Sequence, residues 1–242
     1  MKLCAAQTRP VRGDIGANIA AHKEFIDAAV SSGADLIVFP ELSLTGYEPT
    51  LAGALATDPA DSRFDLFQTI SNAGDITIGV GMPTRHADGC CVTMLLFQPG
   101  KPRLVYSKRY LHADEEPYFV SGPNVACVNV KDAIVAPAIC YEVSVAEHSE
   151  NASRHGAGIY VASVAKTAAG IEVTLPTLAG IARKHAMTTM MANCVGECDG
   201  CQCTGRTSIW NDRGTLMGQL SDRDTGLLIF DTASQELIER RL

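Results

Sequence analysis

Cys140 ends the apolar run Ala133-Ile134-Val135-Ala136-Pro137-Ala138-Ile139, and Tyr141-Glu142 and a segment of helical character follow it. A thiol at that point stands at the carboxyl end of a buried strand, which is where open α/β folds bind their ligands. The thiolate is the reactive form, so such a site needs a base or a lowered pKa, and a helix N-terminus just beyond would favour the anion. Two upstream residues have the types this chemistry requires. Glu41 follows Asp35-Leu36-Ile37-Val38-Phe39-Pro40, and an apolar surround would raise its pKa toward neutrality and make it a general base. Lys108 follows Arg103-Leu104-Val105-Tyr106-Ser107. A fixed ammonium beside a carbonyl carbon stabilises the oxyanion of a tetrahedral intermediate, and losing one such donor costs about 3–4 kcal/mol of barrier. The backbone N–H of Tyr141 is a natural second donor, because a nucleophile at a strand-to-helix turn presents the next amide to the same oxygen. Read singly, these are a buried thiol, a loop acid and a surface lysine. Each ends a different apolar strand, however, and three strand ends can share one rim.

The elements that must position them alternate along the chain. Leu3 to Gln7 reads as a strand; Asn18 is placed to cap a helix with Ile19, Ile26, Ala29 and Val30 on its apolar face, and Gly33 to end it. Leu36 to Phe39 is a buried strand, residues 60–73 a helix through Phe64, Phe67 and Ile70, and Ile76 to Gly81 a strand. A hairpin follows: Val92 to Phe97, the turn Gln98-Pro99-Gly100-Lys101, then Arg103 to Tyr106. Beyond Cys140 come a helix over 143–155, a strand over 158–163, a helix over 174–188 and an apolar stretch over 190–193. Thr207 to Trp210, the turn Asn211-Asp212-Arg213-Gly214 and Gly226 to Phe230 complete the pattern. No linker, repeat or low-complexity tract interrupts it. A layered α/β fold follows, with hairpins among the crossovers making its sheets mixed.

Composition narrows the function classes. The 242 residues are 46% apolar and carry a net charge of -7 with acidic and basic residues interspersed, so no basic stripe marks a nucleic-acid surface. No apolar run approaches the ~20 residues that cross a bilayer. The first residues enter a strand pattern without a leader or cleavage site, and the cytoplasm is the expected compartment. The nine cysteines are then expected as free thiols. Cys4, Cys91 and Cys127 fall in strand patterns as small apolar side chains.

The local sequences around the three residues add a resemblance. Phe39-Pro40-Glu41-Leu42-Ser43-Leu44-Thr45-Gly46-Tyr47, Ser107-Lys108-Arg109-Tyr110-Leu111 and Ala138-Ile139-Cys140-Tyr141-Glu142 resemble, in order, the three signature blocks of the nitrilase (carbon–nitrogen hydrolase) superfamily. The likeness extends to Ala5-Ala6-Gln7, Asn193-Cys194-Val195-Gly196 and Gly205-Arg206-Thr207-Ser208-Ile209-Trp210, so residues 1–242 are expected to form a single domain of that family. The resemblance implies a four-layer αββα sandwich of two mixed sheets flanked by helices, assembled as a homodimer or higher homo-oligomer. It implies Cys140 as nucleophile, Glu41 as general base, Lys108 as oxyanion stabiliser, and no metal or organic cofactor. It also implies a second glutamate near the lysine: Glu115 fits best and Glu116 is the alternative, within Asp114-Glu115-Glu116-Pro117-Tyr118-Phe119. The expected reaction is hydrolysis of a small linear amide with release of ammonia, N-carbamoyl compounds or nitriles being the alternative substrates. Two positions depart from the family pattern. Ala136 replaces a common glycine, and Val164-Ala165-Lys166-Thr167 stands where many members place a tryptophan or another bulky residue. A roomier pocket follows from the second, and Lys166 is read as a surface lysine before it is read as a partner for an acidic substrate group. No substrate-binding residue is otherwise legible, Arg183 included.

Three rivals remain at this level. Cys194, Cys198, Cys201 and Cys203 invite a zinc site, but CxxxCxxCxC lacks the two separated CxxC pairs of common structural sites, so no metal is expected. A Cys–His hydrolase would pair Cys140 with a histidine such as His148 or His155, both on a helix where solvent exposure is expected. A non-catalytic scaffold would have no chemical need to keep Glu41, Lys108 and Cys140 together.

Overall fold

The structure, a computed structural model, describes residues 1–123 and 125–242. Along the chain the elements are β1 (Lys2–Gln7), α1 (Ile15–Ser31), β2 (Leu36–Val38), α2 (Pro49–Leu55), a 3₁₀ turn (Ser62–Phe64), α3 (Asp65–Gly74), β3 (Thr77–His86), β4 (Gly89–Phe97) and β5 (Leu104–Ser107). Then come β6 (Val128–Val130), β7 (Ala133–Ile139), a 3₁₀ turn (Cys140–Ser144), α4 (Ala146–Arg154), β8 (Ile159–Ser163), α5 (Ala168–His185) and β9 (Thr188–Ala192). The last are β10 (Val195–Cys198), β11 (Cys201–Thr204), β12 (Ser208–Trp210), β13 (Leu216–Gln219), β14 (Gly226–Asp231) and β15 (Leu237–Arg241).

One large sheet has the order β15-β14-β1-β2-β3-β4-β5 and the other β13-β12-β9-β8-β7-β6, with β10-β11 as a separate ribbon. The centre of each is parallel, β1-β2-β3 in the first and β7-β8-β9 in the second, and antiparallel strands flank both centres. Period-two alternation explains the stacking. Leu3, Ala5, Leu36 and Val38 face Val135, Ile159, Val161 and Met190 in the core between the sheets. Their neighbours Cys4, Ala6, Ile37 and Phe39 pack outward against Phe25, Ile26 and Ala29 of α1 and Phe67 of α3. On the other sheet Ala136, Ala138, Tyr160 and Met191 pack outward against Ala152 of α4 and Leu178 and Ala182 of α5. Strands buried on both faces read as near-continuous apolar runs. The layers are therefore helix, sheet, sheet, helix, the αββα order that the resemblance implies.

Several boundaries differ from expectation. Asp14, not Asn18, caps α1 by accepting the Ala17 N–H at 2.9 Å. Asn18 lies inside the first turn, buried, where it binds both backbone groups of Val11 and the Leu44 carbonyl. Gly33 does end the helix, in the left-handed region at φ +71°. The helix expected over 143–155 is a 3₁₀ turn followed by α4, and the one expected over 174–188 starts at Ala168 and ends at His185. Cys127 precedes β6 instead of lying within it.

Candidate active site

Glu41, Lys108 and Cys140 all lie just past the carboxyl ends of strands, and the chain around each is fixed by backbone contacts. After β2, Phe39 N–H donates to the Gly79 carbonyl and Leu44 N–H to the Gly81 carbonyl, so Pro40, Glu41 and Leu42 are drawn over β3. Gly81 makes that approach possible. A Cβ there would lie 2.3 Å from the Leu42 nitrogen and 2.7 Å from the Pro40 carbonyl oxygen. Lys108 directly follows β5, and its N–H donates to the Val92 carbonyl at 2.8 Å. Cys140 directly follows β7 with φ +45°, a left-handed corner that costs a non-glycine residue about 1–2 kcal/mol. Glu115 sits in a turn where its carbonyl accepts the Tyr118 and Phe119 N–H groups.

The side chains meet in the interior. Lys108 is fully buried, and its Nζ donates to Glu41 Oε1 at 2.8 Å and to Glu115 Oε1 at 2.6 Å. Tyr47 OH donates to Glu115 Oε1 at 3.1 Å, and His112 N–H to Glu115 Oε2 at 2.7 Å. Glu115, not Glu116, is the acid that reaches the lysine; Glu116 is exposed. Glu41 Oε2 is buried without a hydrogen-bond partner of good geometry, which leaves an acceptor free for a proton. The Cys140 thiol is near enough to act on this carboxylate as a donor.

Burial is the leading influence on all three titrating groups. It raises the Glu41 carboxyl above its usual range, against the opposing charge of Lys108. Burial alone would favour neutral Lys108, but the negative charges around it, Glu41 first, outweigh that and hold it protonated. The Cys140 thiol is pushed up to about 11 by burial and by the Glu41 charge, with Lys166 and then Lys108 pulling the other way. The expected lowering of the thiol pKa by a following helix is thus not what the surroundings produce. A 3₁₀ turn, not an α-helix, begins at Cys140. The thiol rests protonated in the surroundings of the buried Glu41 carboxylate, and forming a thiolate there would need a base.

Sequence reasoning gave Glu142 no role, yet it ties the site together. Its Oε2 accepts Tyr106 OH at 2.6 Å and Ile139 N–H at 2.8 Å, and its Oε1 accepts Arg109 N–H at 2.8 Å. One buried carboxylate therefore links the turn after Lys108 to the strand that ends at Cys140. An acid two residues after Cys140, closing an otherwise apolar block, is the available signal. His148 is not solvent-exposed as expected: its ring nitrogens lie 2.9 Å from Tyr106 OH and 2.8 Å from Tyr160 OH, and burial lowers its pKa. Both nitrogens are occupied, so neither serves a thiol. His155 is exposed at the end of α4. Lys166 is half-buried, its main chain held by Asn193 and Thr204, and its ammonium makes no ion pair among the described residues.

This fold, with a buried acid–lysine–acid chain beside a cysteine, defines a class, and the sequence assigns the chain to it. The protein belongs to the carbon–nitrogen hydrolase family, whose sequence profile matches residues 2–241. Among solved structures it is similar to an amidase of the nitrilase superfamily from Nesterenkonia sp. AN1, seen as a cysteine-to-serine mutant, with 22% identity over 97% of this chain and 92% of that one and a TM-score of 0.88. A cysteine-to-alanine mutant of that amidase in complex with butyramide aligns at 22% identity over 97% and 92% with a TM-score of 0.87. A third structure of it shows the result of Michael addition of acrylamide at the active-site cysteine, at 22% identity over 97% and 94% with a TM-score of 0.87.

Proposed function

We propose that the protein hydrolyses the C–N bond of a small linear amide through a thioester on Cys140. The observation that carries this reading is the chain Glu41 Oε1–Lys108 Nζ–Glu115 Oε1, 2.8 and 2.6 Å long and excluded from water, with the free oxygen of Glu41 in the surroundings of the Cys140 thiol. Glu41 takes the thiol proton as sulfur attacks the carbonyl carbon. The Lys108 ammonium and the Tyr141 N–H stabilise the tetrahedral oxyanion. The proton on Glu41 passes to the nitrogen, the C–N bond breaks, and ammonia departs. Water, deprotonated by Glu41, then cleaves the thioester and releases the carboxylic acid. Glu115 acts by holding Lys108 in place. Amide is preferred to nitrile or N-carbamoyl substrate because the similar amidase is seen with butyramide in its complex. The family resemblance adds a homodimer in the cytoplasm; light scattering at twice the 25.7 kDa chain mass would support the assembly.

Ammonia release is the test, measured against short aliphatic amides, ω-amides, N-carbamoyl amino acids and nitriles. Activity on amides, a Cys140 acyl adduct by intact mass and loss of both in Cys140→Ser are expected. Turnover that survives Cys140→Ser would overturn the mechanism, and turnover confined to nitriles would overturn the substrate class.

A further inference from the structure

The β10–β11 ribbon carries a second group of thiols that the proposed reaction does not use. Its turn is Asp199-Gly200, with φ +49° and +70°, the two-residue form that sets register tightly. The register pairs Cys198 with Cys201 and Gly196 with Cys203. Directly paired residues share a face, and so do residues two apart on one strand. Cys198, Cys201 and Cys203 therefore lie on one face, and Cys194, two residues before Gly196, leads into it. The Sγ atoms of Cys194, Cys198 and Cys203 all fall within 4.8 Å of one another, with Cys194 to Cys198 at 3.4 Å. All three are buried, while Cys201 at the turn is exposed.

We propose that Cys194, Cys198 and Cys203, completed by Cys201, form a structural site for a thiophilic d10 cation, zinc(II). Four thiolates at the zinc–sulfur distance of about 2.3 Å place neighbouring sulfurs about 3.8 Å apart. The three buried sulfurs, with one pair at 3.4 Å and all within 4.8 Å, lie near that spacing, and a rotamer change at Cys201, directly across from Cys198, supplies the fourth. Each ligating thiol gives up its proton to solvent as its sulfur binds. In sequence, the spacing CxxxCxxCxC is unlike a common metal motif because it is not two separated CxxC pairs. A tight hairpin folds it so that its cysteines share a face. A disulfide would engage two of the sulfurs and leave the convergence of the third without a purpose.

Such an ion would stiffen one wall of the active site. Tyr47 packs on the three sulfurs and donates its hydroxyl to Glu115. Cys203 forms a β-bridge with Thr167, and Thr204 N–H donates to the Lys166 carbonyl. The site is independent of the proposed reaction, and its test does not read turnover.

Protein made in zinc-supplemented medium and purified under reducing conditions without chelator should hold one zinc ion per chain by elemental analysis. Reduced apoprotein titrated with Co2+ should show intense thiolate-to-cobalt charge transfer and the d–d bands of a tetrahedral site. Cys198→Ser and Cys203→Ser should lose the charge-transfer band, Cys201→Ser should weaken it, and Cys140→Ala should leave it unchanged. Wild-type protein with background zinc and no cobalt band would overturn the site, whatever the folding of the variants. A Cys194–Cys198 disulfide in protein purified from zinc-supplemented medium under reducing conditions, or a band lost in Cys140→Ala, would overturn it equally.

Discussion

At the scale of single residues, the surroundings of Glu41 and Cys140 set a pH dependence with a definite sign. Burial raises the Glu41 carboxyl, so its basic form is complete only at higher pH than for an ordinary carboxylate. The kcat/KM for amide hydrolysis should therefore fall as pH drops through that raised value. Glu41→Gln should remove this limb from the profile and lower the rate about 10²- to 10⁴-fold, as expected for loss of a general base. Lys108→Ala removes the proposed oxyanion donor and should cost about 10²- to 10³-fold in kcat. The thiol is a separate reporter. Burial, the largest influence on the thiol, raises its pKa and persists when the Glu41 charge is removed, so the rate of Cys140 alkylation by iodoacetamide in Glu41→Gln should climb with pH across the neutral range. Lys166 pulls that pKa down, so Lys166→Gln in the same background should react more slowly across the neutral range. Exposed Cys201 competes for the reagent, and mass mapping of the labelled site separates the two.

At the scale of elements, the site depends on how closely chain segments approach. Gly81→Ala would drive a methyl group into the backbone of Pro40–Leu42. It should destabilise the fold by about 1–3 kcal/mol and reduce turnover by displacing Glu41. Gly53 in α2 has open space around its Cα, and Gly53→Ala should stabilise by about 0.5–1 kcal/mol with turnover unchanged. Chemical denaturation and ammonia assays on the two variants check the contrast. Glu142→Gln replaces an acceptor facing Tyr106 OH and the Ile139 and Arg109 amides; a loss of about 1–3 kcal/mol is expected in the same denaturation assay. The elements themselves were unevenly legible. β2 and β7 are unbroken apolar runs and β1 and β8 have apolar centres, and burial on both faces makes all four readable. The β10–β11 ribbon is hard to read from sequence because its strands are four residues each and Val-Gly-Glu-Cys shows no apolar alternation, leaving only Cys-Gln-Cys-Thr with a period of two. Its Asp199-Gly200 turn was the one usable sign. Pro49 at the start of α2 was likewise a first-turn marker for a helix too short to show a period. Asn18 has the side-chain type of a cap, but the same groups satisfy the buried backbone of Val11 and Leu44 instead. Side-chain convergence has no sequence signature of its own. Glu41, Lys108 and Cys140 were found by type and strand-end position, whereas Tyr47, Tyr106 and His148 owe their placement entirely to tertiary packing.

At the scale of the whole molecule, the groups that would carry the reaction are divided between two bodies. Glu41 and Lys108 follow strands of one sheet, and Cys140 follows a strand of the other. The sheets are tied near the site by Ser163 Oγ donating to the Phe39 carbonyl at 2.8 Å and by Glu41 N–H reaching the Val164 carbonyl at 3.4 Å. The spacing between acid and sulfur is consequently a gauge of how tightly one slab seats on the other. Slippage of about an ångström between them can cost about a hundredfold in rate while every strand and helix stays formed. Mild urea should thus silence the enzyme ahead of any drop in its far-ultraviolet dichroism, the chemistry giving way at a seam before the slabs themselves melt.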